Sequence, residues 1–471
     1  MKKYLFISLV LVLLFTSFSF ANLEEGSLLM VGGALRGDND AVYEEFIRLA
    51  GGTEKAKIGI IPVASGSPHK YTQLFIEDMT SRGLSESQVK LIPIAIKDDS
   101  RTDEIDESSW YNNASDEILA SEIKEYTGIW FVGGDQLRIT QALLDNSGNN
   151  TPVLESIWSV YQKGGVIGGT SAGAAIMSEI MIAGGDSYGA LTLGHTDEFD
   201  DSTLDYQDQG GLVITKGLGF FKEGIIDQHF DRKGRLGRLI VTGYEHKEEY
   251  PINFGIEENT ALIYTSEDNK LSVKGENGVV VVDLREAIKE NKEYRGIRIS
   301  YLEPNDAFNL NDDSFEMDDS KYTTIGYEYF SRENPVISGA VDADSSLKHM
   351  IAYNLIDNEA SDRVKTYLFN DSSTGYEFEF SKSTDTEGYW SQSGAADLYS
   401  FKNVILNIKP INIIIGNSVE SKVKMTEYRV QENDVLWKIA QAHETTVDKI
   451  VEFNNLEDPN LIFENQIIEL P

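Results

Sequence analysis

Residues 165–178 read Gly-Val-Ile-Gly-Gly-Thr-Ser-Ala-Gly-Ala-Ala-Ile-Met-Ser, with Ser171 at the centre of Gly-Thr-Ser-Ala-Gly. An apolar strand runs into a turn of small residues and then into a helix. This is the pattern of a nucleophile elbow. The turn is so tight that only small residues fit around the serine, whose Oγ is pushed out at the carboxyl end of a sheet. The amide of Ala172 opens the helix and is placed to donate to a developing oxyanion. A serine so placed needs a base and a group that orients the base.

Working outward, short apolar strands alternate with helical stretches on the amino-terminal side. Strands are expected at 28–33, 57–63, 89–94, 128–132 and 165–168. Helical spacing falls at 40–50, 71–81, 115–124, 137–144 and 153–162. Strands apolar on both faces between helices predict an α/β domain with a doubly wound, mostly parallel sheet. Ligand sites in such sheets gather at the carboxyl ends of the strands. Gly32-Gly33, Gly133-Gly134 and Gly168-Gly169 all fall there. No G-x-G-x-x-G follows the first strand, which rejects dinucleotide binding. The acidic stretch 97–114 reads as an exposed insertion. From about residue 254 the pattern becomes strand-rich, and the domain is expected to run from 22 to 315. The Asp-rich run 311–321 reads as a linker and lacks the Gly and terminal Glu of an EF-hand loop. Residues 316–425 carry strand patterns and one helical stretch, 347–355. They read as a β-rich accessory region without a catalytic signature.

The chain has 471 residues, a net charge of −36 and no cysteine. The length calls for two or three domains. The acidity argues against a nucleic-acid partner and fits a cationic substrate, or solubility outside the cell. The lack of cysteine excludes disulfides, thiol nucleophiles, Cys-ligated zinc and a lipoprotein anchor. Met1-Lys2-Lys3, the apolar run 5–15 and Ser19-Phe20-Ala21 form a secretory signal peptide over 1–21, an uncleaved anchor being the alternative. Secretion, to the medium or the cell wall, is therefore expected.

Of six histidines, His229 stands just after an apolar strand in Ile225-Ile226-Asp227-Gln228-His229-Phe230, followed by Lys233, Arg235 and Arg238. His195, in a polar loop, is the fallback. Glu257 and Glu258 both sit at a strand end. Strand alternation puts them on opposite faces, so only one can face the site, and the residues alone do not choose. The order serine, histidine, acid differs from the Ser…Asp/Glu…His order of α/β-hydrolases, so the elbow does not imply a lipase or esterase.

Gly-Gly-Thr-Ser-Ala-Gly-Ala, Phe-Val-Gly-Gly-Asp-Gln, Asp-Gln-His-Phe with trailing basic residues, and Gly-Ile-Glu-Glu-Asn-Thr-Ala occur in order. Together they resemble the cyanophycinases, in the serine peptidase family that also contains aspartyl dipeptidase. The resemblance covers roughly 27–315 and implies a flavodoxin-like fold related to class I glutamine amidotransferases. It implies Ser171 as nucleophile, His229 as base and then acid, and Glu258, rather than Glu257, as the orienting carboxylate. The amides of Gly134 and Ala172 become the oxyanion donors. Gln136, Asp227, Gln228, Lys233, Arg235 and Arg238 become residues that line or shape the substrate pocket. Lys233 stands where the family has arginine, and lysine lacks the bidentate fork. The plain alternative for Arg235 and Arg238 is a solvated helix face with ordinary ion pairs. The implied substrate is cyanophycin, poly-aspartate with arginine on each β-carboxyl, cut to β-Asp-Arg dipeptides. No cofactor or metal is implied, and a homodimer is. Competing readings are a dipeptidase for other Asp-containing or isoaspartyl peptides, and an inactive wall-binding protein.

Residues 426–471 show a strand-helix-helix-strand pattern. Tyr428-Arg429-Val430 through Ala440, and Asn454-Asn455-Leu456 through Pro471, resemble a LysM domain, which implies binding of peptidoglycan or another N-acetylglucosamine glycan. Asn433-Asp434 are expected to cap the first helix. Leu436 and Trp437 are expected in its core, since both fall on the apolar helix face.

Overall fold

The computed structural model describes residues 26–196, 208–343, 346–370, 373–394, 396–412, 426–431, 434–443, 445–454, 456 and 462–470. The segment read as a signal peptide lies outside the described residues. The chain divides into two compact units, 1–411 and 412–471.

In the first unit, strands β1 (Ser27–Val31), β2 (Ile58–Ile61), β3 (Val89–Leu91), β4 (Gly128–Phe131) and β5 (Val166–Thr170) form a parallel array in the order β1-β5-β4-β2-β3. Their side chains alternate between two buried faces. Leu28, Met30, Ile129, Phe131 and Ile167 enter one core, with Leu154 and Ile157 from helix Pro152–Gln162. Leu29, Val31, Ile58, Ile60 and Trp130 enter the other, with Phe46 and Phe75 from helices Asp40–Leu49 and Pro68–Ser81. Helices on both faces make the sheet doubly wound. Four further strands extend it antiparallel from β1: Thr260–Thr265, Lys270–Gly275, Ala307–Asn309 and Ser314–Glu316. The sheet is therefore mixed, parallel only in its amino-terminal half. In register, Val31 faces Thr170 and Phe131 faces Gly169, so the ends of β1, β4 and β5 lie side by side.

A second sheet runs Tyr322–Thr323, Glu387–Ser393, Ala396–Asn412, Glu293–Leu302, Val279–Asp283, Ile252–Ile256 and Ile226–Asp227. Its order corrects the boundary expected at 315. Strand Glu293–Leu302 pairs with Ala396–Asn412, Ile299 opposite Val404. Two buried ion pairs also cross that boundary, Lys321 Nζ to Asp306 Oδ2 at 2.6 Å and Lys348 Nζ to Glu303 Oε1 at 2.8 Å. Removing one partner of such a pair costs about 3–5 kcal/mol, because the other is left buried and uncompensated. Residues 316–411 are thus part of the same body. The run 311–321 is not a free linker, since Ser314–Glu316 is the edge strand of the first sheet. The 97–114 insertion is also organised internally. Glu107 is fully buried and accepts from the Asp99 amide at 3.0 Å and the Thr102 hydroxyl at 2.7 Å.

The second unit pairs strands Thr426–Arg429 and Ile467–Leu470 antiparallel around helices Leu436–Ala442 and Val447–Asn454. Leu436, Ile439, Ile450 and Ile468 form its core. Trp437 does not join them and is 58% exposed. Asp434 does not cap the helix either. Its carboxylate instead accepts from the Gln431 amide and the Tyr428 hydroxyl, closing the turn that precedes it. Among the described residues no helix is long and apolar enough to cross a membrane.

Candidate active site

The end of β5 is built from residues that tolerate no side chain. A Cβ on Gly169 would meet the Gly173 backbone, and one on Gly173 would meet the Phe131 carbonyl. Between them Ser171 takes φ 54° and ψ −111°. A non-glycine residue in this region carries about 1–3 kcal/mol of backbone strain. The strain is held by two anchors: the Ser171 amide donates to Val31 O at 2.9 Å, and its carbonyl accepts from Ala174 and Ala175. The hydroxyl is left at the carboxyl edge of the sheet.

His229 follows strand Ile226–Asp227 and also has positive φ, 47°. Its amide donates to Gly32 O at 2.6 Å. A Cβ on Gly33 would collide with the imidazole, so the Gly-Gly turn after β1 makes the room for the ring. His229 Nε2 lies 2.9 Å from Ser171 Oγ, and Nδ1 lies 2.6 Å from Glu258 Oε1. With the carboxylate as acceptor, Nδ1 carries the proton and Nε2 is free to accept from the serine. Gln228 Oε1 is a second, weaker acceptor for the serine, at 3.4 Å. Burial lowers the His229 pKa, Glu258 opposes that, and the charges of Arg235 and Lys233 lower it further. Glu258 is lowered by its hydrogen bond from His229, against the effect of burial.

Of the two adjacent glutamates, only Glu258 meets His229. Glu257 points into the second sheet, accepting from the Tyr301 hydroxyl at 2.6 Å and the Gly278 amide at 3.1 Å. Burial pushes its carboxyl above the usual range, with Tyr301 opposing. His195 forms a bridge with Leu212 and does not line the cavity that holds Ser171.

The residues taken as substrate-binding do not line that cavity. Arg238 and Asp227 are buried and paired through two bonds, Nε to Oδ2 at 2.8 Å and Nη2 to Oδ1 at 2.6 Å. Arg238 also reaches the Gly185 carbonyl. Arg235 bonds Gln228 O at 2.6 Å and Asp208, and Lys233 bonds the other oxygen of Asp208 at 2.6 Å. The arginines are therefore neither a solvated face nor open to substrate carboxylates, because each is closed by a carboxylate of this chain. Gln136 is likewise buried and donates to the carbonyls of Ile182 and Ala183. These side chains shape the wall behind His229. Asp208 is the group that sequence reasoning missed. Burial works against its ionisation, but Arg235 and Lys233 hold its pKa at about 2. No local motif marks it.

Ser171 and His229 open onto a cavity of about 730 Å³ lined by Leu35, Tyr43, Tyr71, Leu74, Phe75 and Asp78, among others. Gly133 and Gly134 line it too. The Gly134 amide (φ 146°) and the Ala172 amide donate to no protein acceptor among the described residues, leaving two donors beside the serine turn.

A hydroxyl, an imidazole and a carboxylate in line, on the carboxyl edge of a doubly wound sheet, are the parts of a serine hydrolase. The sequence pattern of peptidase family S51 matches residues 28–272, and the chain belongs to that family of serine peptidases. Residues 428–471 match the LysM domain. The cyanophycinase of Synechococcus elongatus is 30% identical over 300 residues, covering 61% of this chain and 80% of that protein. The cyanophycinase of Trichormus variabilis is 32% identical over 302 residues, covering 60% and 85%. A solved peptidase from an acI-B1 Actinobacterium aligns with a TM-score of 0.41 at 20% identity, over 61% of this chain and 98% of that one.

Proposed function

We propose that the protein is a secreted serine exopeptidase that cuts cyanophycin, the arginyl polymer of aspartate, into β-Asp-Arg dipeptides. The observation that carries this reading is the contact of His229 with both Ser171 and Glu258, at 2.9 and 2.6 Å. Ser171 Oγ attacks the scissile carbonyl carbon while His229 Nε2 takes its proton. The amides of Gly134 and Ala172 hold the negative oxygen of the tetrahedral intermediate. The C–N bond then breaks, and the Nε2 proton goes to the leaving amine. Water, deprotonated by the same nitrogen, attacks the acyl ester and frees Ser171. Glu258 keeps Nδ1 protonated throughout and offsets the charge of the imidazolium. The cyanophycinases among its relatives support the choice of polymer.

The apolar leader and the LysM domain support export and retention at a glycan, peptidoglycan being the candidate. The family resemblance also supports a homodimer.

The test is incubation of the mature protein with insoluble cyanophycin, following β-Asp-Arg by mass spectrometry. Release is expected, with a loss of about 10⁴-fold or more in Ser171→Ala. Activity that survives this substitution would remove Ser171 from the mechanism. A second reading, a dipeptidase for other isoaspartyl peptides, is favoured by one observation: the basic residues expected to hold polymer carboxylates are already paired within the chain. Cleavage of Asp-X dipeptides with no clearing of the polymer would select it.

A further inference from the structure

The cavity in front of Ser171 has a chemical character that the motif residues do not explain. Among the described residues, Asp78 is its only lining side chain with a full formal charge apart from titratable His229. It stands on helix Pro68–Ser81, on the stripe Tyr71, Leu74, Phe75, Asp78, whose spacing of three and four residues puts them on one helix face. All four line the cavity, together with the rings of Tyr43 and Trp130.

Asp78 is only half satisfied. Its Oδ2 accepts from the Tyr43 hydroxyl at 2.9 Å. Among the described residues its Oδ1 has no hydrogen-bond partner, and no cation comes within ion-pair distance of either oxygen. Gly37 is what leaves it open, since a Cβ there would stand 2.8 Å from Oδ1. The nearest arginine is committed elsewhere. Arg82 bonds Gly37 O at 2.7 Å, Asp40 at 2.6 Å and the backbone carbonyl of Asp78 at 2.8 Å, with its guanidinium over the Tyr43 ring. Tyr43 is held as a donor. Its phenol pKa is pushed far above the ordinary value by burial and by Asp78. This contrasts with the cluster behind His229, where Asp208 and Asp227 are closed by Lys233, Arg235 and Arg238.

A carboxylate with a free oxygen at an aromatic-walled cavity selects a cation on an apolar stem. The methylenes pack on the rings, and the charged head meets the carboxylate while keeping part of its hydration. Between the two common cations, aromatic faces favour the planar, weakly hydrated guanidinium over the ammonium.

We propose that Asp78 is the specificity residue for a guanidinium side chain, and that the cavity formed by Tyr43, Tyr71, Leu74 and Phe75 is the subsite for the arginyl arm of the substrate. This rests on the reading of Ser171 as the nucleophile and deepens the substrate assignment made from the relatives. Asp78 touches substrate and takes no part in bond breaking, so its removal alters recognition and leaves the reactivity of Ser171 intact.

The experiment uses the full mature chain and Asp78→Asn, which keeps shape and the acceptor for Tyr43. Two matched isoaspartyl oligomers are compared, one bearing arginine and one bearing citrulline, its uncharged isostere. A charged hydrogen bond sets the scale. The arginyl oligomer is expected to lose about 10- to 100-fold in kcat/KM, mostly through KM, while the citrullyl oligomer is unchanged. Equal loss on both, or arginine preference retained in Asp78→Asn, overturns the subsite. A second readout separates this from the choice of polymer. A fluorophosphonate probe labels Ser171 without any peptide substrate, and β-Asp-Arg is expected to slow labelling of the wild type but not of Asp78→Asn. Slowing with no hydrolysis of cyanophycin supports the subsite and defeats only the polymer assignment. Failure of β-Asp-Arg to slow labelling of the wild type defeats the subsite.

Discussion

The cluster behind His229 and the cavity in front of Ser171 use the same side-chain chemistry to opposite ends. Lys233, Arg235 and Arg238 are closed by Asp208 and Asp227. Asp78 keeps one oxygen open toward the cavity. The first set holds the loop that carries His229, and the second presents a charge that the chain does not neutralise. A charge pattern in a sequence therefore reports composition, and only the partners decide which charges remain available to a ligand.

The largest test concerns the two adjacent glutamates, of which Glu258 meets His229 and Glu257 is enclosed by the second sheet. Glu258→Gln removes the charge behind His229 and lets the wrong tautomer compete. A fall of about 10²- to 10⁴-fold in kcat is expected, with the unfolding midpoint little changed. Glu257→Gln should instead change stability, since its carboxylate meets Tyr301 and Gly278 rather than the imidazole. Similar kinetic losses in both would erase the distinction.

Next in size is Arg238→Ala. It removes both charged hydrogen bonds of buried Asp227 and leaves only Arg235, at 3.6 Å, as a counter-charge, so a loss toward the low end of about 3–5 kcal/mol of stability is expected, read from urea unfolding. If only KM rose, the cluster would be a substrate site after all. Acid should act on the same cluster. Asp208 has a depressed pKa, so its contribution is complete above the usual 3.8 and disappears as the pH falls through about 2.

The smallest effect is a shift in a pH profile. Burial and the cations Arg235 and Lys233 lower the His229 pKa, so the neutral base persists below the ordinary value of 6.5. The acid limb of kcat/KM should lie below that value. Lys233→Gln removes one of the cations and should move the limb upward while changing the plateau less than about threefold, since the lysine is partly exposed and well screened. An unchanged limb would show that the cluster acts on His229 by packing alone.

Much of this centre is legible because it is local. The strand-turn-helix around Ser171 encodes its own strained geometry, and the strands of the parallel half announce themselves as short apolar runs between helices. Strand alternation shows that Glu257 and Glu258 must diverge, but the direction depends on Tyr301, more than forty residues away. The fate of the basic residues was hidden for the same reason, since Asp208 lies 25 and 27 residues before Lys233 and Arg235 and carries no motif. Asp78 left a fainter trace in the stripe Tyr71, Leu74, Phe75, Asp78, which reads as an ordinary amphipathic face until the cavity is seen beside it. The expected boundary at 315 failed because pairing and charge compensation reach across it.

The crossing pairs also set an order of events in the making of the protein. Glu258 projects from the end of strand Ile252–Ile256, whose sheet is completed only by Ala396–Asn412. Lys348 supplies the positive charge beside Glu303 and lies over the ring of Tyr301, which in turn holds Glu257. A nascent chain that has already produced Ser171, His229 and Glu258 still lacks Lys321 and Lys348, the counter-charges of Asp306 and Glu303. A ribosome-bound fragment ending near residue 315 would therefore carry every reacting group on a sheet whose buried carboxylates are not yet compensated.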